Sequence, residues 1–139
     1  MARANNILVA IDGSDNALRA VKHAASSLQP GAKLRLLYVQ APVPRSRAVS
    51  QALIDEHYQR QEEQAVKKVK AYLTRAKIDA DIEVLIGDPA PSIVEYARRK
   101  KCHQIVMGNR GHGALAGIFL GSVAMKVVQL SEIPVTLVK

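Results

Sequence analysis

Short apolar runs alternate along the chain with longer segments of helical periodicity. The run at residues 6–12 is continuous rather than alternating, which predicts a strand that is covered on both faces. Residues 34–39, 104–108 and 134–138 form further predicted strands. Residues 80–86 alternate apolar and charged positions, and this pattern is typical of an edge strand with one solvated side. The chain therefore contains five predicted strands.

Between the strands, apolar residues recur every three or four positions, which is the spacing of one helix face. The first helix is capped by Ser14 or Asp15 and stopped by Pro30-Gly31. The later helices are residues 50–76, the segment between Pro89 and the basic residues 98–101, and residues 121–130. Strands alternating with helices predict an α/β fold, with an open five-stranded parallel sheet and helices on both faces.

Composition sets limits on this fold and on its location. At 139 residues we expect one domain, residues 1–139, and the scarcity of aromatic residues predicts an aliphatic core. No apolar run approaches the roughly 20 residues that a membrane span needs. The first residues lead directly into a predicted strand, so we expect no signal peptide. The single cysteine, Cys102, fits a reducing compartment, so we expect a cytoplasmic protein.

The formal net charge of +8 favours an anionic partner, which is a nucleotide, a nucleic acid or a membrane surface. The alternative interpretation is a solvated basic surface. Residues 98–101 are all basic, but they follow a predicted helix, where cations complement the helix dipole. Cys102 adjoins this cluster. Its basic neighbours lower the pKa of an exposed thiol, whereas burial makes a thiol inert.

The clearest chemical pattern follows the fourth predicted strand. Gly108 and Gly111 leave the backbone free to approach a ligand, and Gly121-Ser122 opens a helix after nine further residues. Free N–H groups and the positive end of a helix dipole favour a phosphate at this point, and Arg110 can add charge. The loop is neither a Walker A motif nor a dinucleotide fingerprint, because it lacks their residues and spacing. The alternative is a loop whose glycines serve only tight turns.

Other strand ends supply polar and apolar groups that suit a nucleoside. Asp12, at the end of the first strand, can accept from a ribose hydroxyl or an adenine amine. Val39 ends the second strand and can offer its backbone N–H and C=O to a base edge. Ala10 and Met107 predict an apolar slot for the ring. If the first and fourth strands are neighbours, their carboxyl ends border one crevice.

The combination of Asp12-Gly13-Ser14 with Gly108, Gly111 and Gly121-Ser122 at this spacing resembles the nucleotide-binding branch of the universal stress protein family. The resemblance extends over nearly the whole chain, although His103-Gln104 stand where many members have an acid. It implies the adenine nucleotide alpha hydrolase-like fold, with strand order 3-2-1-4-5, and binding of ATP or AMP with or without Mg²⁺. It also implies a homodimer formed by antiparallel pairing of the C-terminal strand, which begins at Pro134 and ends at Lys139.

Site residues follow from the resemblance by position. Those implied to hold adenosine are Ala10, Asp12 and Val39. Those implied to hold ribose and phosphates are Met107, Gly108, Arg110, Gly111, Gly121, Ser122 and Val123.

Three functions remain open at this level. The first is a stress-response protein that binds an adenine nucleotide and regulates a partner, with no catalytic residue and no metal site of its own. The second is slow ATP hydrolysis, for which Arg110 is the most suitable cation. The third is a basic nucleic-acid-binding module, although aromatic stacking platforms and a helix-turn-helix are lacking. Four histidines show no metal-ligand spacing, and of these His112 lies in the glycine-rich loop.

Overall fold

The computed structural model describes residues 6–109 and 120–139. Strands and helices alternate along these residues, as the hydrophobic pattern predicts. The elements are β1 (Ile7–Ile11), α1 (Asp15–Ser26), β2 (Leu34–Gln40), α2 (Gln51–Ala76), β3 (Asp81–Ile86), α3 (Pro89–Arg99), β4 (Gln104–Gly108), α4 (Ser122–Leu130) and β5 (Val135–Val138).

The five strands form one sheet in the order β3-β2-β1-β4-β5, and every neighbouring pair is parallel. This order confirms the expectation from the family resemblance. The chain builds outward from β1 to β3, then crosses back to β4 on the other side of β1. The strand order therefore reverses between β1 and β4, where ligands bind in open α/β sheets. β3 lies at an edge, as its alternation predicts, and exposes Asp81 and Glu83.

Each face of the sheet has its own aliphatic core. One core packs β1 and β2 residues such as Val9 and Leu36 against α1 and α2. The other packs Leu8 and Leu37 against α3 and α4. Neighbouring residues of one strand belong to different cores because successive side chains point to opposite faces. This two-sided burial accounts for the continuous apolar pattern of β1.

Local chemistry sets the ends of the helices. Ser14, not Asp15, is the N-cap of α1, because its Oγ accepts the backbone N–H of Ala17 at 3.1 Å. Ser50 caps α2 in the same way, and α2 ends at Lys77 in the left-handed conformation. Within residues 6–109 and 120–139, no helix combines the length and apolarity needed to cross a bilayer.

Candidate functional site

The turn after β1 holds Asp12 at the carboxyl end of the sheet. Asp12 Oδ1 accepts the backbone N–H of Ser14 at 2.9 Å. Gly13 between them has a φ of 85°, a conformation that favours glycine. The carboxylate also raises the pKa of Tyr38, although burial of that phenol is the larger cause. A carboxylate offers about four lone-pair positions, so it can accept several hydrogen bonds at once.

Four apolar residues of the predicted nucleotide site converge on one face of the sheet. Met107 belongs to the core under α3 and α4, and Ala10, Val39 and Val123 pack against that core. Met107 is buried, whereas the other three are half-buried. Asp12 lies in the turn directly after β1, two residues beyond Ala10.

The backbone of Val39 faces the crevice side of β2. The carbonyl of Gln40 accepts the N–H of Gly87 at 3.0 Å, which is a bond toward β3. Backbone groups of successive strand residues point in opposite directions, so those of Val39 point toward β1. Pairing between β1 and β2 ends at Ile11 and Tyr38. The Ile11–Tyr38 pair engages the Val39 N–H with the carbonyl of Ile11, so the C=O of Val39 is the backbone group that lies past the end of β1.

The segment after β2 is fastened by a residue that the sequence pattern did not single out as functional. Tyr58 on α2 accepts the backbone N–H of Val43 with its phenolic oxygen at 2.8 Å. Its carbonyl accepts from Gln40 Nε2 at 3.4 Å. The hydrophobic stripe of α2 identifies Tyr58 as a packing residue only, and the hydroxyl gives no local signal. These two bonds fix the chain that follows Val39.

The start of α4 presents backbone donors. Its N-cap is Gly121, which has no side chain to accept from the first turn. The first turn of α4 contains no acidic residue, so no carboxylate there compensates the positive end of the helix dipole. Gly121 is half-buried, and the side chain of Ser122 is exposed. This arrangement suits an anion.

Asn109 joins the three elements around this helix start. Its carbonyl accepts from Gly121 N at 2.7 Å, and its N–H donates to the carbonyl of Val138 at 2.9 Å. Its side-chain Oδ1 accepts from Asn16 Nδ2 at 2.9 Å. Asn16, in the first turn of α1, is only 8% exposed. Neither asparagine was singled out from the sequence, and a polar residue on the inner side of a helix is the only available signal for Asn16.

Two predicted phosphate contacts, Arg110 and Gly111, lie outside the described residues, and so does His112. Gly108, at the end of β4, is half-buried and directly precedes Asn109. The described residues thus place Ala10, Asp12, Val39, Met107, Gly108, Gly121, Ser122 and Val123 at the carboxyl ends of β1, β2 and β4 and the start of α4.

Cys102 lies at the opposite end of β4 and belongs to the core. It is 6% exposed, and burial raises the pKa of its thiol. The positive charges of Arg35 and Lys100 act in the lowering direction, but burial is the larger effect. The basic neighbours therefore do not activate this thiol. Among the described residues, no group of three or more His, Cys, Asp or Glu could hold a metal ion.

Residues 4–139 match the Universal stress protein family. A relative from Thermus aquaticus, the universal stress protein in QAH/OAS sulfhydrylase 3'region, is 38% identical over 135 residues. This alignment covers 96% of the present chain and 97% of the relative.

Solved structures agree with this match. Universal stress protein UspA from Lactobacillus plantarum has a TM-score of 0.86 at 25% identity, with complete coverage of both chains. A universal stress protein solved in complex with cAMP has a TM-score of 0.69 at 29% identity, covering 99% of each chain. Proteins from Archaeoglobus fulgidus and Arabidopsis thaliana, solved with dAMP and AMP, are 22% and 18% identical and show the fold alone. The family match and the shared fold together establish that this chain belongs to the universal stress protein family.

Proposed function

We propose that this protein binds ATP or AMP and acts in the cytoplasm as a regulatory nucleotide-binding protein rather than as an enzyme. The proposal rests on the placement of Asp12 and Gly121, which are far apart in the sequence and lie at the carboxyl ends of the neighbouring strands β1 and β4 that border the predicted crevice. Asp12 follows β1, while Gly121 opens α4 and bonds to the end of β4. β1 and β4 pair side by side where the strand order reverses.

Adenosine is assigned to the β1 and β2 side of this crevice. Val39 supplies its backbone C=O to the base, and Ala10 and Met107 supply apolar contact. Asp12 accepts from the ribose hydroxyls or the adenine amine. These roles suit a nucleoside because its base has a flat apolar face and a polar edge, whereas the ribose needs acceptors.

Phosphates are assigned to the N-terminus of α4. Ser122 and Val123 offer backbone N–H groups, and the Ser122 hydroxyl can also donate to a phosphate oxygen, while Gly121, whose N–H donates to the carbonyl of Asn109, leaves the N-cap without a side chain. Gly108, Arg110 and Gly111 complete the assignment on the basis of sequence. Mg²⁺ typically retains water ligands and is bound through substrate phosphates, so it would enter with ATP rather than occupy a protein site.

We do not expect this protein to hydrolyse ATP rapidly. Phosphoryl transfer needs positioned cations and an oriented water, and the sequence offers Arg110 but no P-loop lysine. Single-turnover assays with labelled ATP test this point. We expect turnover far below the enzyme median of roughly 10 per second, and a rate near that value would contradict a purely binding role.

A nucleic-acid-binding role has weaker support. Arg98 at the end of α3 forms an ion pair with Glu95. Arg99 and Lys100 lie over the ring of Tyr96, at 5.7 and 5.8 Å from its centroid. These contacts give three cations of the basic cluster a structural role. Retention on DNA without sequence preference and with strong salt dependence would reflect net charge alone.

Homodimer formation through the C-terminal strand is also proposed. β5 is an edge strand, and each of its residues is half-buried. The exposed Met125, Val128 and Leu130 on the adjacent helix α4 add apolar surface. An unpaired edge with nearby apolar side chains is an aggregation hazard, and antiparallel pairing of residues 134–139 with a second copy removes it.

Isothermal titration calorimetry with adenosine, AMP and ATP, each with and without Mg²⁺, tests the central proposal. We expect saturable heat for AMP or ATP below the millimolar range. Mass spectrometry of small molecules released from the purified, denatured protein identifies a nucleotide carried from the cell. The absence of binding heat at millimolar concentration for all three compounds would remove the nucleotide assignment.

A further inference from the structure

Asn109 lies between the neighbouring strands and the phosphate seat, which is the N-terminus of α4 at Gly121, Ser122 and Val123. Its N–H and carbonyl bonds, to Val138 at 2.9 Å and from Gly121 at 2.7 Å, fix its backbone between β5 and α4. The start of α4 is therefore held against the end of β4 by a main-chain bond. This bond leaves the asparagine side chain available for a different element.

The side chain of Asn109 reaches across the end of the sheet to α1. Asn109 Oδ1 accepts from Asn16 Nδ2 at 2.9 Å, and the two residues are 93 positions apart in the sequence. Asn16 is nine-tenths buried and lies beside the turn in which Asp12 accepts from Ser14. A buried amide without a partner is costly, so this pair strongly constrains the relative position of the two loops.

From this contact we infer that Asn109 and Asn16 are positioning residues of the nucleotide site. The inference rests on the proposed function, because it concerns the same crevice. The pair sets the separation between the Asp12 turn, which is assigned to the nucleoside, and the Gly121 end of α4, which is assigned to phosphate. A nucleotide spans both sides, whereas a nucleoside needs only one. The hydrogen bond therefore adds to phosphate affinity more than to nucleoside affinity.

The test compares AMP with adenosine by calorimetry for the wild type, Asn16→Ala, Asn109→Ala and the double variant. We expect the affinity advantage of AMP over adenosine to fall about three- to tenfold in each single variant, the range that corresponds to one lost hydrogen bond. In the double variant the AMP advantage should fall no further than in the single variant with the larger fall, because both substitutions break the same bond.

A second variant protects the test against loss of folding. Asn109→Asp keeps an oxygen that accepts from Asn16, so it retains the bond and the fold, but it adds a negative charge beside the phosphate seat. We expect weaker AMP binding and little change for adenosine. Ser131→Ala is the matched control, because it removes a bond from Ser131 Oγ to the carbonyl of Ile133 at the opposite end of α4. Its AMP advantage should equal that of the wild type.

Several outcomes overturn the inference. An unchanged AMP advantage in folded Asn16→Ala and Asn109→Ala shows that the pair has only a structural role, and equal weakening of both ligands leads to the same conclusion. If the wild type binds AMP while the variants retain its advantage, this inference alone fails. If the wild type binds neither compound, the proposed function fails as well, so the two failures are distinguishable.

Discussion

The phenolic oxygen of Tyr58 accepts the backbone N–H of Val43 at 2.8 Å, which fastens the middle of the segment between β2 and α2. The bond links a helix residue to a chain that contains two prolines and lacks regular structure before Gln51. Val39, the assigned base contact, lies four residues before Val43. The order of the base side of the crevice thus depends on one hydroxyl of α2.

Removal of this hydroxyl should loosen the base side without affecting the phosphate side. Tyr58→Phe leaves the half-buried N–H of Val43 without its partner, and we expect a loss of about 1 kcal/mol in the free energy of unfolding. Adenosine and AMP should weaken by the same factor, so their affinity ratio should not change. The control is Tyr72→Phe, which removes a hydroxyl about 21 Å further along α2. Calorimetry on both variants checks this, and a selective loss of AMP affinity would contradict it.

Charge at the N-cap of α4 should abolish phosphate binding. Gly121 has a φ of −63°, so other residues fit its backbone conformation, and Asp and Asn are both favourable N-caps. Gly121→Asp should therefore fold but show no thermal stabilisation by ATP, because a carboxylate occupies the phosphate seat. Gly121→Asn is the matched neutral control and should retain part of the stabilisation. Differential scanning fluorimetry with and without ATP measures both. If ATP stabilises Gly121→Asp as much as the wild type, the assignment of the phosphate site is wrong.

A charged residue in β5 should weaken the proposed dimer. In an antiparallel pair of β5 strands the two copies of Thr136 lie near each other, so Thr136→Lys brings like charges together. We expect dissociation at concentrations where the wild type is dimeric. Thr136→Val has nearly the same shape and should remain dimeric. Sedimentation equilibrium of the three proteins decides the matter, and a Thr136→Lys dimer as stable as the wild type would exclude this interface.

The buried phenol of Tyr96 should make the fold sensitive to alkali. Burial, followed by hydrogen bonding to Glu83 and its charge, raises the pKa of Tyr96 from 10.0 to about 12. The folded state therefore retains a proton that the unfolded chain loses near pH 10. The resulting stability is complete below pH 10 and is lost as the pH rises through about 12.

Tyr96→Phe removes this titration. Although the variant loses hydrogen bonds and is less stable at neutral pH, its free energy of unfolding should fall less steeply than that of the wild type between pH 10 and about 12. Urea unfolding at a series of pH values measures the two slopes. Cys102, whose pKa is also raised by burial, is present in both proteins and contributes equally. Parallel slopes would contradict the assigned role of Tyr96.

Much of the fold follows from local patterns in the sequence. The continuous apolar run of β1 and the alternation of β3 predict a buried strand and an edge strand, because side-chain direction in a strand has a period of two. Ser50 and Pro89 mark the starts of α2 and α3 correctly, since caps and proline at the first helical position act through neighbouring residues. The Asp12-Gly13-Ser14 turn likewise depends only on residues that are neighbours in the sequence.

The supporting contacts of the site depend on the tertiary structure. In the sequence, Tyr58 is only one of the apolar positions in the stripe of α2. Val43, whose N–H donates to the Tyr58 hydroxyl, lies in a segment with neither helical nor strand periodicity. The choice of Ser14 over Asp15 as cap of α1 also came from geometry, because both residue types are favoured there.

By itself, the sequence determined the alternation of strands and helices, the glycine spacing after β4 and the bare start of α4, since each depends on residues close together in the chain. The strand order entered through the family resemblance. Only the tertiary structure brought Asn16 to Asn109 over a separation of 93 residues. The physical reason is that a hydrogen bond between distant side chains exists only after the crossover from β3 to β4 has placed their strands side by side, and no local periodicity encodes that contact.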